Sequence, residues 1–440
     1  MVKLVYMAPS TEISFRTLMS NDWRGRILPV RELHVKGYRS VRDVRLRLKR
    51  INVLVGPNGC GKSNLYRSMM LISAAATGRF ASILANEGGM ASVLWAGRHH
   101  KHEKPRLLLE VTLKGMSYSL ECGRVPISER PPELACFSND PDIKVEEVKY
   151  LSKDKPPVSL VKRVKGGITA RNMDGRRVQY PLSVHGNESV LSGLREPQKF
   201  PELSALRQEF LSWRFYHHFR TDIASPLRLP QVGVMTPVLS DDGLDVAAAL
   251  ATIEAIGDAS ALERAIDDAF PGSRLHIESN AGEFALRLHM PGFNRSFDGL
   301  EISDGTLQYL CLVAALLSPR PPALLALNEP ETSIHPDLSE ALAKLIVLAS
   351  RRSQIWITTH SYELAKFIAM HGGNEPIELE KRNGATRIRG SGLIDRDEDE
   401  PVESEPDGDF LDPDEPEEDE QPELMQEQDD DDDDYDDDDY

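Results

Sequence analysis

Residues 56–63, Gly-Pro-Asn-Gly-Cys-Gly-Lys-Ser, are the stretch of this 440-residue chain best suited to chemistry. They fit G-x-x-x-x-G-K-[ST] in full, the spacing of a phosphate-binding loop. The glycines let the backbone turn its N–H groups inward around phosphate oxygens. Lys62 supplies a point charge for the β- and γ-phosphates, and Ser63 supplies a hydroxyl for Mg²⁺. The expected ligand is ATP, held by Gly56, Pro57, Asn58, Gly59, Cys60, Gly61, Lys62, Ser63 and Asn64. Cys60 reads as loop filler rather than as a redox switch. The flanks agree with this assignment. Ile51–Val55 is a nearly continuous apolar run, as in a strand buried on both faces. Lys62 opens a Leu-, Met- and Ala-rich helix expected to reach Thr77, whose positive end favours anions.

A phosphate loop alone does not name a reaction. Ala323–Leu327 is a second apolar strand, and it ends in Asn328-Glu329. Ligands of parallel sheets sit at the C-terminal edge of the strands, so Glu329 is placed to polarise an attacking water. Gln354–Thr359 ends at the same kind of edge in His360. Alone, His360 would be a packed or surface histidine; beside the other two motifs it reads as functional. Ser303-Asp-Gly-Thr-Leu-Gln308 opens an apolar helix about 25 residues before Glu329. It is either an anion-binding helix start or a simple N-cap.

Taken together, GPNGCGKSN, SDGTLQ, LLALNEPETSIHPDL and ITTHS resemble the ABC-type ATPase heads of the RecF, SMC and OLD superfamily. Within it the likeness is to stand-alone bacterial AAA-family ATPases related to RecF. The motifs cover residues 30–80 and 295–370. The resemblance implies a P-loop NTPase fold and a homodimer of heads that sandwiches two ATP molecules. One head would supply the P-loop and Glu329, and the other would present Ser303, Asp304 and Gly305 to the γ-phosphate. His360 would be the switch histidine, and Glu331-Thr-Ser-Ile334 the segment crossing the dimer interface. Three departures stand out. The signature is Ser-Asp-Gly rather than Ser-Gly-Gly. Asn328 stands where ABC heads usually carry Asp; it offers Mg²⁺-bound water an oxygen but no charge, so Mg²⁺ is expected to be held less strongly, which leaves open slow turnover or a switch that binds ATP more than it cycles. The glutamine that normally links the sites is unassigned, with Gln198, Gln208 and Gln231 as candidates.

The elements that must position these groups follow from the hydrophobic pattern. Strands are expected at 31–36 and 41–48 around a turn, and a hairpin at 107–113 and 117–122. Further short strands are expected at 158–163, 167–172 and 177–180, and an aromatic-basic strand at 213–220. Helices are expected at 201–213, 245–256, 259–270, 304–317, 336–349 and 362–370. The expected class is α/β, a P-loop head with a β-rich insertion between the phosphate loop and the signature. The boundaries are an N-terminal extension at 1–28 (with Met19 as an alternative start), an N-terminal lobe at 29–105, a β-rich basic arm at 106–235, a C-terminal lobe at 236–394 and a tail at 395–440. Lys62 and Glu329 are too far apart for a transporter subunit. No heptad run predicts a coiled coil. The short stretch after residue 370 leaves no room for an appended nuclease domain before the acidic tail.

Charge divides the chain. Residues 395–440 carry 28 of the 70 acidic residues and one of the 52 bases, so the rest is mildly basic, at +9. The tail is too polar to offset its ordering entropy and is expected to be disordered. Residues 144–177 hold ten Lys/Arg against four Asp/Glu. With Trp213–Phe219 they could follow a DNA backbone, or be a solvated β-surface. The Asp runs of the tail could compete with DNA for that surface, or serve solubility. No apolar run is long enough for a membrane span, and no signal-peptide core is present. Cys60, Cys122, Cys136 and Cys311 lack disulfide or zinc spacing, which fits the cytoplasm. Two functions stay open: an ATP-driven clamp in DNA repair or genome maintenance, and an ATPase sensor of a defence or toxin module with a separate effector protein.

Overall fold

The computed structural model describes residues 29–98, 104–125, 136–137, 139–164, 167–171, 175–180 and 184–390. The extension at 1–28 and the tail at 395–440 lie outside them. In chain order the N-terminal half runs β1 (Val30–Tyr38), β2 (Val41–Arg47), β3 (Ile51–Val55), α1 (Lys62–Thr77), α2 (Phe80–Asn86), α3 (Gly89–Val93), β4 (Leu107–Leu113), β5 (Met116–Gly123), β6 (Asp142–Tyr150), β7 (Val158–Val164), β8 (Gly167–Arg171) and β9 (Arg177–Tyr180). There follow α4 (Val190–Gly193), α5 (Pro201–Ser212), β10 (Arg214–Tyr216), β11 (Gln231–Val232), α6 (Val246–Ile256), α7 (Ala259–Ala269), β12 (Arg274–Asn280), β13 (Glu283–His289) and β14 (Phe297–Asp298). The last described elements are α8 (Asp304–Leu316), β15 (Leu324–Asn328), α9 (Ser339–Ala349), β16 (Gln354–Thr359), α10 (Tyr362–Gly372), β17 (Ile377–Arg382) and β18 (Ala385–Ile388).

Two large sheets set the architecture. One is antiparallel, in the order β2-β1-β4-β5-β6-β7-β8-β9. The other runs β10-β15-β16-β3-β17-β18, and its first five strands are parallel. Every residue of β3 and of β16 is buried, as strands covered on both faces require. The phosphate-loop helix α1 lies between the sheets. Leu65, Met69 and Ile72 share one core with Leu33, Val35 and Leu109 of the antiparallel sheet and with Trp356. Burying each such side chain contributes roughly 1.5–3 kcal/mol, an upper estimate. The opposite face of the parallel sheet, with Val53, Val55, Leu327 and Ile357, packs against α6 to α10 through Leu250, Leu310, Ile346 and Leu364.

Residues 106–235, expected as an inserted arm, are not a separate body. β4 pairs with β1 along its length, so β4 to β9 continue the sheet that β1 and β2 begin. β10, near the expected far end of the arm, is a strand of the parallel sheet. The described residues up to Val125 and from Phe137 onward form one compact unit. The physical reason is the open edge of β1, whose N–H and C=O groups would be left unpaired without β4. The strand expected at 213–220 shortens to β10, and the pattern leaves β6, β11, β12, β13, β14, β17 and β18 unpredicted. No helix among the described residues exceeds the 16 residues of α1, and none is long and apolar enough to cross a membrane.

Candidate nucleotide site

Register brings the candidate groups to one edge. Val55 lies level with Thr359, Thr358 with Asn328, and Tyr216 with Leu327. Gly56, His360, Glu329 and His217 therefore all leave their strands at the C-terminal edge of the parallel sheet. With strands ~4.8 Å apart, Glu329 sits about 10 Å, two strands, from the start of the phosphate loop.

The loop has a buried floor and an open rim. Gly56, Cys60, Gly61 and Lys62 are buried, while Pro57, Asn58, Gly59 and Ser63 are exposed. Cys60 packs beneath Gly56 as filler; a Cβ on Gly56 would come within 2.9 Å of its Sγ. The Lys62 ammonium donates to the carbonyls of Gly56 (2.7 Å) and Pro57 (3.1 Å), so its charge is folded over the loop. Gly61 adopts φ 104° at the N-cap of α1, and a Cβ there would fall 2.0 Å from Thr386 Oγ1. Only glycine satisfies both constraints. Thr386 belongs to a small brace: Asn64 Nδ2 donates to Ser40 Oγ at 2.8 Å, and Ser40 Oγ pairs with Thr386 Oγ1 at 2.8 Å. The end of the phosphate loop is thus held between the β1–β2 turn and β18.

Glu329 follows β15 with φ 47°, a left-handed conformation that costs a non-glycine residue roughly 1–3 kcal/mol. The sheet supports it: its N–H donates to the carbonyl of Thr358 at 2.7 Å, and its carbonyl accepts from Thr332 N at 3.0 Å. Its Oε2 is 3.9 Å from His360 Nδ1, with both side chains partly open to solvent. Glu331, which the resemblance places in a segment crossing a dimer interface, makes its bonds within its own head. Its Oε1 accepts from Thr359 Oγ1 (2.5 Å), His360 N (3.1 Å) and Ser361 N (3.3 Å), and lies 3.3 Å from His360 Nδ1. Glu331 therefore braces the loop that carries His360, while Thr332 and Ser333 remain exposed.

For Mg²⁺ the donor set is sparse but suitable. The Ser63 hydroxyl is exposed at the start of α1. Asn328 Oδ1 accepts from Thr358 Oγ1 at 2.9 Å and keeps a second lone pair. Among the described residues no cluster of His, Cys, Asp and Glu forms a separate metal site. A hydroxyl and an amide oxygen beside a phosphate loop suit a cation that keeps several waters and takes phosphate oxygens.

The Ser303 motif caps α8. Ser303 Oγ accepts from Thr306 N at 3.2 Å and pairs with Thr306 Oγ1 at 2.8 Å. Gly305 lies against the segment after Glu329: a Cβ there would be 2.5 Å from the Ser333 carbonyl oxygen. Asp304 is paired with the buried Arg228.

Some groups at the site escape sequence reasoning. A cleft at the sheet edge is lined by Tyr216, His217, His218, Gln308, Asn328 and Pro330. Burial, with the nearby Arg67 and His218 charges, pushes His217 below the usual histidine range, while Glu329 pulls it the other way. The only advance signal was two adjacent histidines closing an aromatic strand. Gln231 is excluded as the linking glutamine. It is buried, its Oε1 accepts from Ala247 N (2.8 Å), and its Nε2 donates to the Leu227 carbonyl (3.3 Å). Gln198 and Gln208 are exposed on or before α5.

The surface expected for DNA is taken up by the fold only in part: Lys153, Lys155, Lys162 and Arg177 are exposed, whereas other members are engaged. Arg163 is 1% exposed, donates to the carbonyls of Glu188 and His185, and faces the buried Glu146. Lys144 and Lys149 pair with Asp142 and Glu147. Trp213, Tyr216 and Phe219 are buried in the core rather than available for stacking on bases.

A phosphate loop between β3 and α1, a parallel sheet ending in Glu329 and His360, and an antiparallel sheet built onto β1 and β2 together make a P-loop NTPase fold. Residues 163–366 match the family model described as "AAA domain, putative AbiEii toxin, Type IV TA system". That stretch contains Ser303, Glu329 and His360 but not the phosphate loop. No curated protein matches the chain. Among solved structures the chain is similar to the SMC head domain from Thermotoga maritima, at 14% identity and TM-score 0.39, covering 82% of this chain and 98% of that one. It is also similar to the Smc head from Pyrococcus furiosus bound to the C-terminal domain of ScpA (14%, TM-score 0.44, 82% and 95%). The head from Pyrococcus yayanosii, with a coiled coil and joint, gives 11%, TM-score 0.45, 82% and 96%.

Proposed function

We propose that the chain binds and hydrolyses ATP, and that two copies close around the nucleotide. The observation that carries this is the common edge of Gly56, Glu329 and His360, with Glu329 held in a left-handed conformation beside His360. Lys62 and the loop amides bind the phosphates, and Ser63 and Asn328 would hold Mg²⁺, which would supply charge neutralisation there. Glu329 polarises water, and His360, braced by Glu331, marks the γ-phosphate end of the site. Asn328 brings no charge to the metal, so turnover is slow. The motif at Ser303–Gly305 serves the partner's ATP, since a helix start with a hydroxyl cap suits an anion.

Of the two settings, the family description, which names a toxin of a type IV toxin-antitoxin system, favours a defence or toxin module. The burial of Arg163, Trp213, Tyr216 and Phe219 removes part of the support for a DNA clamp in repair or genome maintenance. The test is ATP turnover by the purified protein, with and without DNA, beside Lys62→Ala and Glu329→Gln. Turnover lost in both variants supports the proposal, and acceleration by DNA returns the clamp to first place. Turnover that persists in Glu329→Gln contradicts the assignment of the base.

A further inference from the structure

Asp304 is an unexpected residue for a helix start that meets phosphate. A carboxylate at the first position of α8 suits the helix dipole but repels an incoming anion. Arg228 answers that charge. Its side chain is 3% exposed, against 58% for Asp304, and Nη2 pairs with Asp304 Oδ1. The remaining donors of the fork bind backbone: Nε and Nη2 donate to the Thr221 carbonyl (3.2 and 2.8 Å), Nε also to that of Asp222 (3.0 Å), and Nη1 to those of Gly299 (3.0 Å) and Ile302. The two chain segments are in close contact, since a Cβ on Gly299 would fall 2.3 Å from the Arg228 carbonyl oxygen. Arg228 thus ties residues 221–228 to residues 299–304, and through Gly305 to Ser333, four residues after Glu329.

We propose that Arg228 is the positioning residue of the signature helix start. Its guanidinium cancels the Asp304 carboxylate and fixes Ser303–Gly305 against Ser333, so that α8 accepts the terminal phosphate of a nucleoside triphosphate held by a second copy. This rests on the two-headed reading above. The Ser-Asp-Gly signature and the buried arginine form one unit, and the departure from Ser-Gly-Gly is compensated rather than defective.

The test uses the full chain in a Glu329→Gln background, which retains ATP. The dissociation constant of the ATP-dependent dimer is measured by analytical ultracentrifugation with MgATP for the parent, Arg228→Gln, and Arg228→Gln with Asp304→Asn. Thermal melting checks folding. Arg228→Gln should weaken the dimer at least about tenfold, the scale of one close like-charge contact, and adding Asp304→Asn should restore most of that loss. Should Arg228→Gln fail to fold, Arg228→Lys decides, because it keeps the charge and loses the fork; dimerisation within a few-fold of the parent supports the proposal. An Arg228→Gln dimer as tight as the parent, or a double variant no better than the single one, overturns it, as does an Arg228→Lys that folds but does not dimerise. A parent that stays monomeric with MgATP defeats the two-headed reading and this proposal with it, and is distinguished by the parent alone.

Discussion

At the residue scale, the contrast between Asn328 and Glu329 governs what the site can do. Glu329 carries the only charge at the end of β15, and Asn328 is held by Thr358 with its carbonyl oxygen turned toward that hydroxyl. Asn328→Asp adds a carboxylate where Mg²⁺ would sit. Turnover should rise, and the Mg²⁺ concentration for half-maximal activity should fall about tenfold, since charge count sets affinity for hard cations. A variant with unchanged Mg²⁺ dependence would mean that the charge is supplied elsewhere. Lys62→Ala should abolish ATP binding in calorimetry while leaving the melting temperature near that of the parent, because its ammonium contacts only Gly56 and Pro57. Much of this was legible in the sequence. The P-loop, Asn328-Glu329 and His360 each end an apolar run, and the fold needs little more than those runs to align them. Arg228 and His217 were not legible. The role of Arg228 lies in five backbone and side-chain acceptors far apart in sequence, and His217 matters only because β10 lies beside β15.

At the element scale, the antiparallel sheet was the least legible part. β6 (Asp142–Tyr150) carries Lys144, Glu146, Glu147 and Lys149, so it reads as a charged loop until its neighbours β5 and β7 cover it. The same sheet holds a titrating cluster. His34 of β1 is buried between Asp43 (2.8 Å) and Glu110 (3.4 Å). Burial pulls its pKa down, but the two carboxylate bonds outweigh this and the net shift is upward. Bonds to His34 in turn hold Asp43 and Glu110 below the usual carboxylate range. The folded state therefore holds the imidazole proton more tightly than the unfolded chain does. That stabilisation is complete below the ordinary histidine value of about 6.5 and fades as pH rises through the higher folded value. The carboxylate contribution is present above about 4 and fades as pH falls. His34→Gln should therefore lower the melting temperature most near pH 5–6, a loss of stability on the order of 1 kcal/mol given the exposure of both carboxylates, and the gap should close toward alkaline pH. A gap independent of pH would contradict this account of the cluster.

At the scale of the whole molecule, charge is divided between a body of +9 and a tail of −27. A tethered polyanion at an effective concentration near millimolar would compete with DNA for exposed basic residues of the body. Lys153 and Lys155 are two such residues. Truncation after Ile394 should tighten DNA binding at low salt, and the difference should shrink as the Debye length falls to about 8 Å at physiological ionic strength. Equal affinities at low salt would reduce the tail to a solubility device, and no binding by either form would move the defence or toxin setting further ahead. The central claim, that ATP brings two heads together, has a more direct test. The molar mass of Glu329→Gln measured by light scattering with MgATP should be close to twice the 49.1 kDa of one chain, returning to 49.1 kDa without nucleotide. A mass of 49.1 kDa under both conditions would contradict it.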